Sequence, residues 1–271
     1  MVVGNPIAQS RSPRIHRLFA EQSGEDISYD SKLVERGEFD WVAEDFFASG
    51  GKGINITAPF KQDAYRFAHR LSSGARTAGA VNTLAIEAEG EVVGHNTDGV
   101  GLVADLMRQD QPLKDQKILI LGAGGAVRGV LEPLLKTRPT KLVIANRTHE
   151  KALQLAKGFA GYGSIEACPM DKLGSQGFDL IINGTSASLA GQAIALPREI
   201  LADNSFCYDM VYACEPTAFM QWAADSGAKS SDGLGMLVGQ AAESFRIWRG
   251  VSVDIVKVIA TLRAEMLNEQ S

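Results

Sequence analysis

The chain has 271 residues, 45% hydrophobic and 22% charged, with a formal net charge of −5; that balance describes an ordinary folded protein long enough for two domains, without the basic footprint of a nucleic-acid binder. The opening Met1-Val2-Val3-Gly4-Asn5-Pro6 lacks the charged-then-apolar plan of a secretory leader, and no apolar run is long enough to cross a bilayer, so a cytoplasmic location is expected, with neither membrane nor nucleic acid as partner. Cys168, Cys207 and Cys214 form no C-x-x-C, and His16, His69, His95 and His149 show no ligand spacing, so neither a disulfide framework nor a metal site is expected.

Along the chain, Ser10-Arg11-Ser12-Pro13 reads as a helix start, with Ser12 as N-cap and Pro13 at the first helical position, where its missing N–H costs least. Two hydroxyls at a helix N-terminus also suit a carboxylate, so Ser10 and Ser12 have two readings, capping or anion binding. Short segments follow: Ser28–Leu33, a helix over Phe39–Ser49, a strand over Gly53–Thr57 and a helix over Pro59–Arg70. The strand presents Asn55 and Thr57 on one face, and Lys61 falls in the first turn of the helix that Pro59 starts. A helix dipole disfavours a cation there and so favours an amine able to accept a proton; the competing reading is a solvated surface lysine. Val81–Glu87 and Glu91–His95 form a hairpin around Ala88-Glu89-Gly90, and Asp98-Gly99 opens a helix toward Asp110. Asn82 and Asp98 each suffice as turn or cap residues. Together, Asn55, Thr57, Lys61, Asn82 and Asp98 suit a polyhydroxylated small molecule, whose carboxylate Ser10 and Ser12 would hold.

From Lys117 to Ser231 strands alternate with helices. Strands are expected at 117–121, 141–145, 164–167, 178–182, 205–209 and 228–230, and helices at 126–136, 149–159 and 215–226, the last with Pro216 in its first turn. That rhythm predicts a parallel sheet covered on both faces. Gly122, Ala123, Gly124, Gly125 and Ala126 follow the first of these strands, where glycines let backbone N–H groups approach a pyrophosphate. Val127 stands where the third glycine of G-x-G-x-x-G would be, which assigns the close packing to Gly125 and Gly129. The second strand ends at Asn146, where an NAD binder carries an acid for the ribose 2′-OH; Arg147 and Thr148 offer a guanidinium and a hydroxyl instead. NADP is therefore expected over NAD. After Asp232-Gly233-Leu234-Gly235-Met236 the pattern is helical to the end, with a terminal helix over Val251–Asn268 that closes back onto the first domain.

These motifs, in this order, resemble the shikimate dehydrogenase family: G-N-P-I-x-x-S-x-S-P at Gly4–Pro13, G-x-N-I-T-x-P-F-K at Gly53–Lys61, A-G-A-V-N-T-L at Ala78–Leu84 and N-T-D-G at Asn96–Gly99. The likeness continues through G-A-G-G-A at Gly122–Ala126, N-R-T at Asn146–Thr148, N-x-T-S at Asn183–Ser186, Y-D-M-x-Y at Tyr208–Tyr212 and D-G-x-G-M-L-V-x-Q-A-A at Asp232–Ala242. The resemblance implies an α/β protein: a discontinuous substrate domain, 1–99 and 233–271, around a Rossmann-like NADP-binding domain, 100–232, with a cleft between them. It implies that Ser10, Ser12, Thr57, Asn82, Asp98, Tyr212 and Gln240 bind shikimate, with Asn55 beside them, and that Lys61 and Asp98 handle the proton of the hydroxyl oxidised to 3-dehydroshikimate. Gly122 to Ala126, Asn146, Arg147, Thr148, Lys151, Thr185, Ser186, Met210 and Gly233 would lie against NADP. Two positions depart from the family pattern: Gln9 stands where histidine is usual, and Lys151 where arginine often supports the 2′-phosphate. A quinate/shikimate dehydrogenase of catabolism is the alternative enzyme, and a non-catalytic ligand sensor the alternative class; the retained Lys61 and Asp98 argue against the sensor. The expected assembly is a monomer or homodimer.

Overall fold

Two six-stranded sheets, one mixed and one wholly parallel, organise the protein, and the structure, a computed structural model, describes residues 1–185, 187 and 195–269. In chain order the first half holds β1 (Val2–Gly4), α1 (Ser12–Ser23), β2 (Ser31–Leu33), α2 (Phe39–Ala48), β3 (Gly53–Ile56), α3 (Lys61–Phe67), β4 (Arg70–Leu71), α4 (Ser73–Ala78), β5 (Thr83–Ile86), β6 (Val92–His95) and α5 (Asp98–Arg108). Then come β7 (Lys117–Leu121), α6 (Gly125–Lys136), β8 (Lys141–Ala145), α7 (His149–Phe159), β9 (Ile165–Cys168), β10 (Phe178–Asn183), β11 (Leu201–Asp209), α8 (Ala218–Asp225), β12 (Lys229–Ser231), α9 (Leu234–Arg249) and α10 (Ile255–Asn268). The chain divides into two units, Met1–Gly101 with Leu237–Ser271, and Leu102–Met236.

In the first unit the strands lie in the order β2-β1-β3-β5-β6-β4. β1 runs parallel to both β2 and β3, β5 is antiparallel to β3 and β6, and β4 is parallel to β6. One core gathers Val3, Ile54, Ile56, Leu84 and Val92 of the strands with Phe39, Val42 and Ala43 of α2, and with Phe60 and Ala64 around α3. Side chains alternate along a strand, so Asn55, between Ile54 and Ile56, points to the other face, where α1 and α9 supply its neighbours His16 and Ser244.

The second unit has the order β12-β11-β10-β7-β8-β9, every pair parallel. Its central strands carry unbroken apolar runs, Ile118–Leu121, Leu142–Ala145 and Leu180–Ile182, because both faces are buried there. Ile118, Ile120, Leu142, Ile144, Leu180 and Ile182 pack in one core with the inner faces of α6 and α7, while Leu119, Leu121, Val143, Ala145 and Ile181 pack in another with Phe219 and Ala223 of α8. Chain order reverses between β7 and β10, which are direct neighbours. In a doubly wound sheet a ligand crevice opens at the carboxyl ends of the strands at such a reversal.

Several local expectations are corrected. Ser12 is the first residue of α1 rather than its cap; Arg11 holds the cap position without a side-chain bond, and Ser10 Oγ accepts the Ser12 N–H at 3.3 Å. The turn Thr57–Phe60, closed by Phe60 N–H donating to Thr57 O at 3.1 Å, moves the start of α3 to Lys61. That helix ends at Phe67 because Arg70 and Leu71 add to the sheet beside β6, and Ser72 caps α4 by accepting from Ala75 N. Thr217 caps α8, leaving Pro216 outside it, and Asp254 caps α10, leaving 251–254 non-helical.

Candidate active site

In the first unit the turn after β3 delivers Lys61, the end of the hairpin delivers Asp98, and the two meet: Lys61 Nζ lies 2.5 Å from Asp98 Oδ2. The lysine side chain is 28% exposed and the carboxylate 11%, a sheltered pair that a small molecule can still reach. Asn82, just before β5 and 3% exposed, orients the acid. Its Nδ2 donates to Asp98 Oδ1 at 2.8 Å and to Thr97 Oγ1 at 2.9 Å, while its Oδ1 accepts the Thr97 N–H at 2.9 Å. Because the backbone N–H can only donate, it fixes which end of the amide faces Asp98. Gln240 of α9 joins the group, its Oε1 3.4 Å from Asn82 Nδ2 and its Nε2 donating to Leu237 O at 2.8 Å.

Other expected residues of this unit take different places. The half-buried Ser10 keeps its own O–H available, since its oxygen accepts from Ser12, and the buried Ser12 hydrogen-bonds Tyr29. Thr57 is half-buried, and its hydroxyl has no hydrogen-bond partner among the described residues. Asn55 is the correction: its amide is saturated by protein and has no capacity left for a ligand. Its Oδ1 accepts from Tyr29 Oη at 2.6 Å and faces His16 Nε2 at 3.2 Å, and its Nδ2 donates to Ser244 Oγ at 3.0 Å and Thr83 Oγ1 at 3.1 Å. His16 is fully buried and stacks on Tyr29 with ring centroids 4.0 Å apart. Burial pushes its pKa down to about 3, which leaves it neutral, and pushes the Tyr29 phenol well above its ordinary value.

The second unit assembles its candidate residues at the carboxyl edge of the parallel sheet. Gly122 has φ +105°, and a Cβ there would sit 3.1 Å from Gly184 O, so both conformation and crowding require glycine. Gly124 is the N-cap of α6, and Gly124, Gly125 and Ala126 are exposed, leaving first-turn N–H groups of a 12-residue helix open to an anion. Nothing lies within 4 Å of a Cβ built on Gly125, so it does not perform the close packing expected of it. Gly184 supplies a close approach the sequence did not single out: a Cβ there would meet Val127 Cγ2 at 2.4 Å and Met210 Sδ at 3.1 Å. Gly233 lets the chain pass Met210, whose O would lie 2.3 Å from an added Cβ. Thr185 is fixed by Asn183 Oδ1, which accepts its N–H at 3.1 Å and its hydroxyl at 2.8 Å. Asn146, after β8, donates to Thr148 O at 2.9 Å. Arg147, Thr148 and Lys151 are exposed, and neither cation has an ion-pair partner among the described residues. Tyr212 follows β11 and is half-buried; Ser186 lies outside the described residues.

Bare helix N–H groups, a glycine turn at the reversal point, Asn146 rather than an acid directly after β8, and cations without an ion pair among the described residues fit a phosphorylated dinucleotide carrying a 2′-phosphate. A family model described as the shikimate dehydrogenase substrate binding domain matches residues 2–84, one described as shikimate / quinate 5-dehydrogenase matches 105–203, and one described as the shikimate 5′-dehydrogenase C-terminal domain matches 233–263. A Cellvibrio japonicus protein named shikimate dehydrogenase (NADP(+)) is 52% identical over 266 residues, 98% of this chain and 96% of its own. This chain belongs to the shikimate dehydrogenase family. Among solved structures, the shikimate 5-dehydrogenase of Thermus thermophilus, in complex with NADP(H) and shikimate, is 32% identical with a TM-score of 0.87, and the match covers 97% of each chain. An Ael1 enzyme from Pseudomonas putida is 41% identical with a TM-score of 0.91 and 96% coverage of both chains.

For a shikimate dehydrogenase the supporting residues are as telling as the expected ones. Thr83, Thr97, Ser244 and Gly184 were not singled out from the sequence, yet they hold Asn82 and the glycine turn in place. Thr83 and Thr97 adjoin Asn82 and Asp98 within the same motifs, a signal available in the sequence. Ser244 had none, because its partner Asn55 is 189 positions away.

Proposed function

We propose that this chain is an NADP-dependent oxidoreductase that interconverts shikimate and 3-dehydroshikimate, with Lys61 and Asp98 handling the proton of the hydroxyl that is oxidised. The observation that carries the reading is the 2.5 Å contact between Lys61 Nζ and Asp98 Oδ2, held by Asn82. It is supported by relatives named shikimate dehydrogenase (NADP(+)) across nearly the whole chain. Bound NADP would supply the hydride acceptor, and the Lys61 amine accepts the hydroxyl proton of the carbon being oxidised. Asp98 then stabilises the ammonium so formed, and Asn82 keeps the carboxylate from turning away. In the reverse, biosynthetic direction the ammonium returns the proton to the new alkoxide. Ser10 and Ser12 hold the substrate carboxylate, and Thr57, Asn82, Gln240 and Tyr212 its hydroxyls. Gly122 to Ala126, Asn146, Thr185, Met210 and Gly233 line the cofactor, with Arg147, Thr148 and Lys151 at its 2′-phosphate.

Absorbance of reduced nicotinamide, followed with shikimate or quinate and with NADP or NAD, tests the reading. Shikimate with NADP is expected to give the highest kcat/KM. Preference for quinate or for NAD overturns the assignment, and shikimate binding without any NADP reduction replaces the enzyme with a sensor. The enzyme works in the cytoplasm as a monomer or homodimer; in support, no helix among the described residues is long and apolar enough to cross a membrane. A larger assembly by light scattering overturns that part.

A further inference from the structure

Behind the Lys61–Asp98 pair lies a buried polar network that no reacting group touches. Thr83 is fully buried and stands directly opposite Asn55 in the antiparallel β3–β5 pairing, so sheet register brings the two side chains together on one face. Ser244, also fully buried, reaches them from α9, with its Oγ 2.8 Å from Thr83 Oγ1.

Donor and acceptor roles run in one direction through these groups. The phenol of Tyr29 donates to Asn55 Oδ1 at 2.6 Å, which fixes Asn55 with its NH2 toward Thr83 and Ser244. An amide NH2 can only donate, so both hydroxyl oxygens accept from it and their own hydrogens are directed onward. With Ser244 donating its single hydrogen across the 2.8 Å contact to Thr83 Oγ1, Thr83 keeps its own for Asn82 Oδ1 at 3.0 Å. With the Thr97 N–H, Thr83 fills the second acceptor site of Asn82 Oδ1, and the Asn82 NH2 is left facing Asp98 Oδ1. The other carboxylate oxygen is thereby aimed at Lys61.

We propose that Asn55, Thr83 and Ser244 form a positioning relay for the proton-transfer pair, with Thr83 the link that locks Asn82 and, through it, the Asp98 carboxylate facing Lys61. The relay rests on the role proposed above for Lys61 and Asp98. It moves no proton to substrate; it removes the alternative rotamers in which Asp98 faces elsewhere. Fully satisfied buried networks impose this kind of single arrangement.

The test is Thr83→Val, which keeps the shape and deletes the hydroxyl, with Thr83→Ser as the variant that restores it. Thr83→Val is expected to lower kcat about 5- to 10-fold, the loss of one buried hydrogen bond, while KM for NADP stays within about 2-fold, and Thr83→Ser to recover most of kcat. The side-chain amide of Asn82, followed by NMR in the intact protein without substrate, is expected to shift and to exchange its protons faster with solvent in Thr83→Val only. Should Thr83→Val fail to fold, Ser244→Ala takes its place, with the same amide signal as readout. An unmoved Asn82 amide signal, or a kcat loss that Thr83→Ser does not restore, overturns the relay. If the wild-type protein does not oxidise shikimate the functional reading falls, and the amide signal still decides the relay; if Lys61→Ala is inactive while Thr83→Val matches wild type, the relay falls and the functional reading stands.

Discussion

The Lys61–Asp98–Asn82 cluster of the first unit already has its partners, whereas Arg147 and Lys151 of the second have no ion pair among the described residues. Lys61 is paired with Asp98, Asp98 with Asn82, and Asn82 with Thr97 and Thr83. On the second unit, Arg147 and Lys151 stand exposed without an ion pair among the described residues, and the α6 terminus offers N–H groups to open space. The difference separates two tasks. A proton-transfer pair needs its geometry set before substrate arrives, because misorientation at the reacting atoms costs rate directly. A phosphate site can wait for its counter-charge, since the ligand brings the missing acceptors with it. The first cluster should therefore fail in kcat when broken, and the second in KM.

The largest effect is expected at Lys61. In the proposed role, with the amine acting on the proton in flight more than on the bound ground state, Lys61→Ala should lower kcat about 1,000-fold with KM for shikimate changed only a few-fold. Steady-state kinetics decide it, and a rise in KM with kcat intact would move Lys61 from the chemistry to substrate binding. Next is Arg147→Ala, expected to raise KM for NADP roughly 10- to 100-fold, the span of a lost charge-assisted hydrogen bond, and to leave NAD nearly unaffected. Equal losses with both cofactors would place the guanidinium away from the 2′-phosphate. Gly184→Ala comes third. A methyl 2.4 Å from Val127 Cγ2 and 3.3 Å from Leu121 O has no room in a packed strand end. Destabilisation of about 1–3 kcal/mol is expected in thermal melts, partly recovered by added NADP if the turn it supports is the cofactor site.

How far sequence reaches follows the same division. The parallel sheet was legible because strands buried on both faces are written as unbroken apolar runs, as in Ile118–Leu121 and Leu142–Ala145. Arg70–Leu71 escaped because two residues carry no period, and the strand exists only through its pairing with β6. The polar residues of the first unit were recognisable as a set, yet alternation could place Asn55 on a face without telling whether protein or ligand occupies that face. Its partners His16, Tyr29 and Ser244 lie 39, 26 and 189 positions away, and only folding brings them to one amide. Val127 in the third glycine position raised the converse problem: the close approach survives because its partner, Gly184, has no side chain, and that compensation comes from another strand.

The smallest expected effect is the sharpest test of the phosphate site. Lys151 lies in the first turn of α7, exposed, where the helix dipole already favours an anion without its help. A solvated ammonium there adds little to a phosphate held by Arg147 and the Thr148 hydroxyl, because water screens it and a flexible stem must be ordered to bring it close. Lys151→Ala is therefore expected to raise KM for NADP only about 2- to 5-fold, and Lys151→Arg to lower it by a similar factor through a second planar fork on the phosphate. Measured against Arg147→Ala in the same salt, the ratio locates the dianion. If both variants lose equally, the 2′-phosphate sits between the two side chains rather than on the guanidinium, and the helix N-terminus of α7 takes a larger share of the NADP preference.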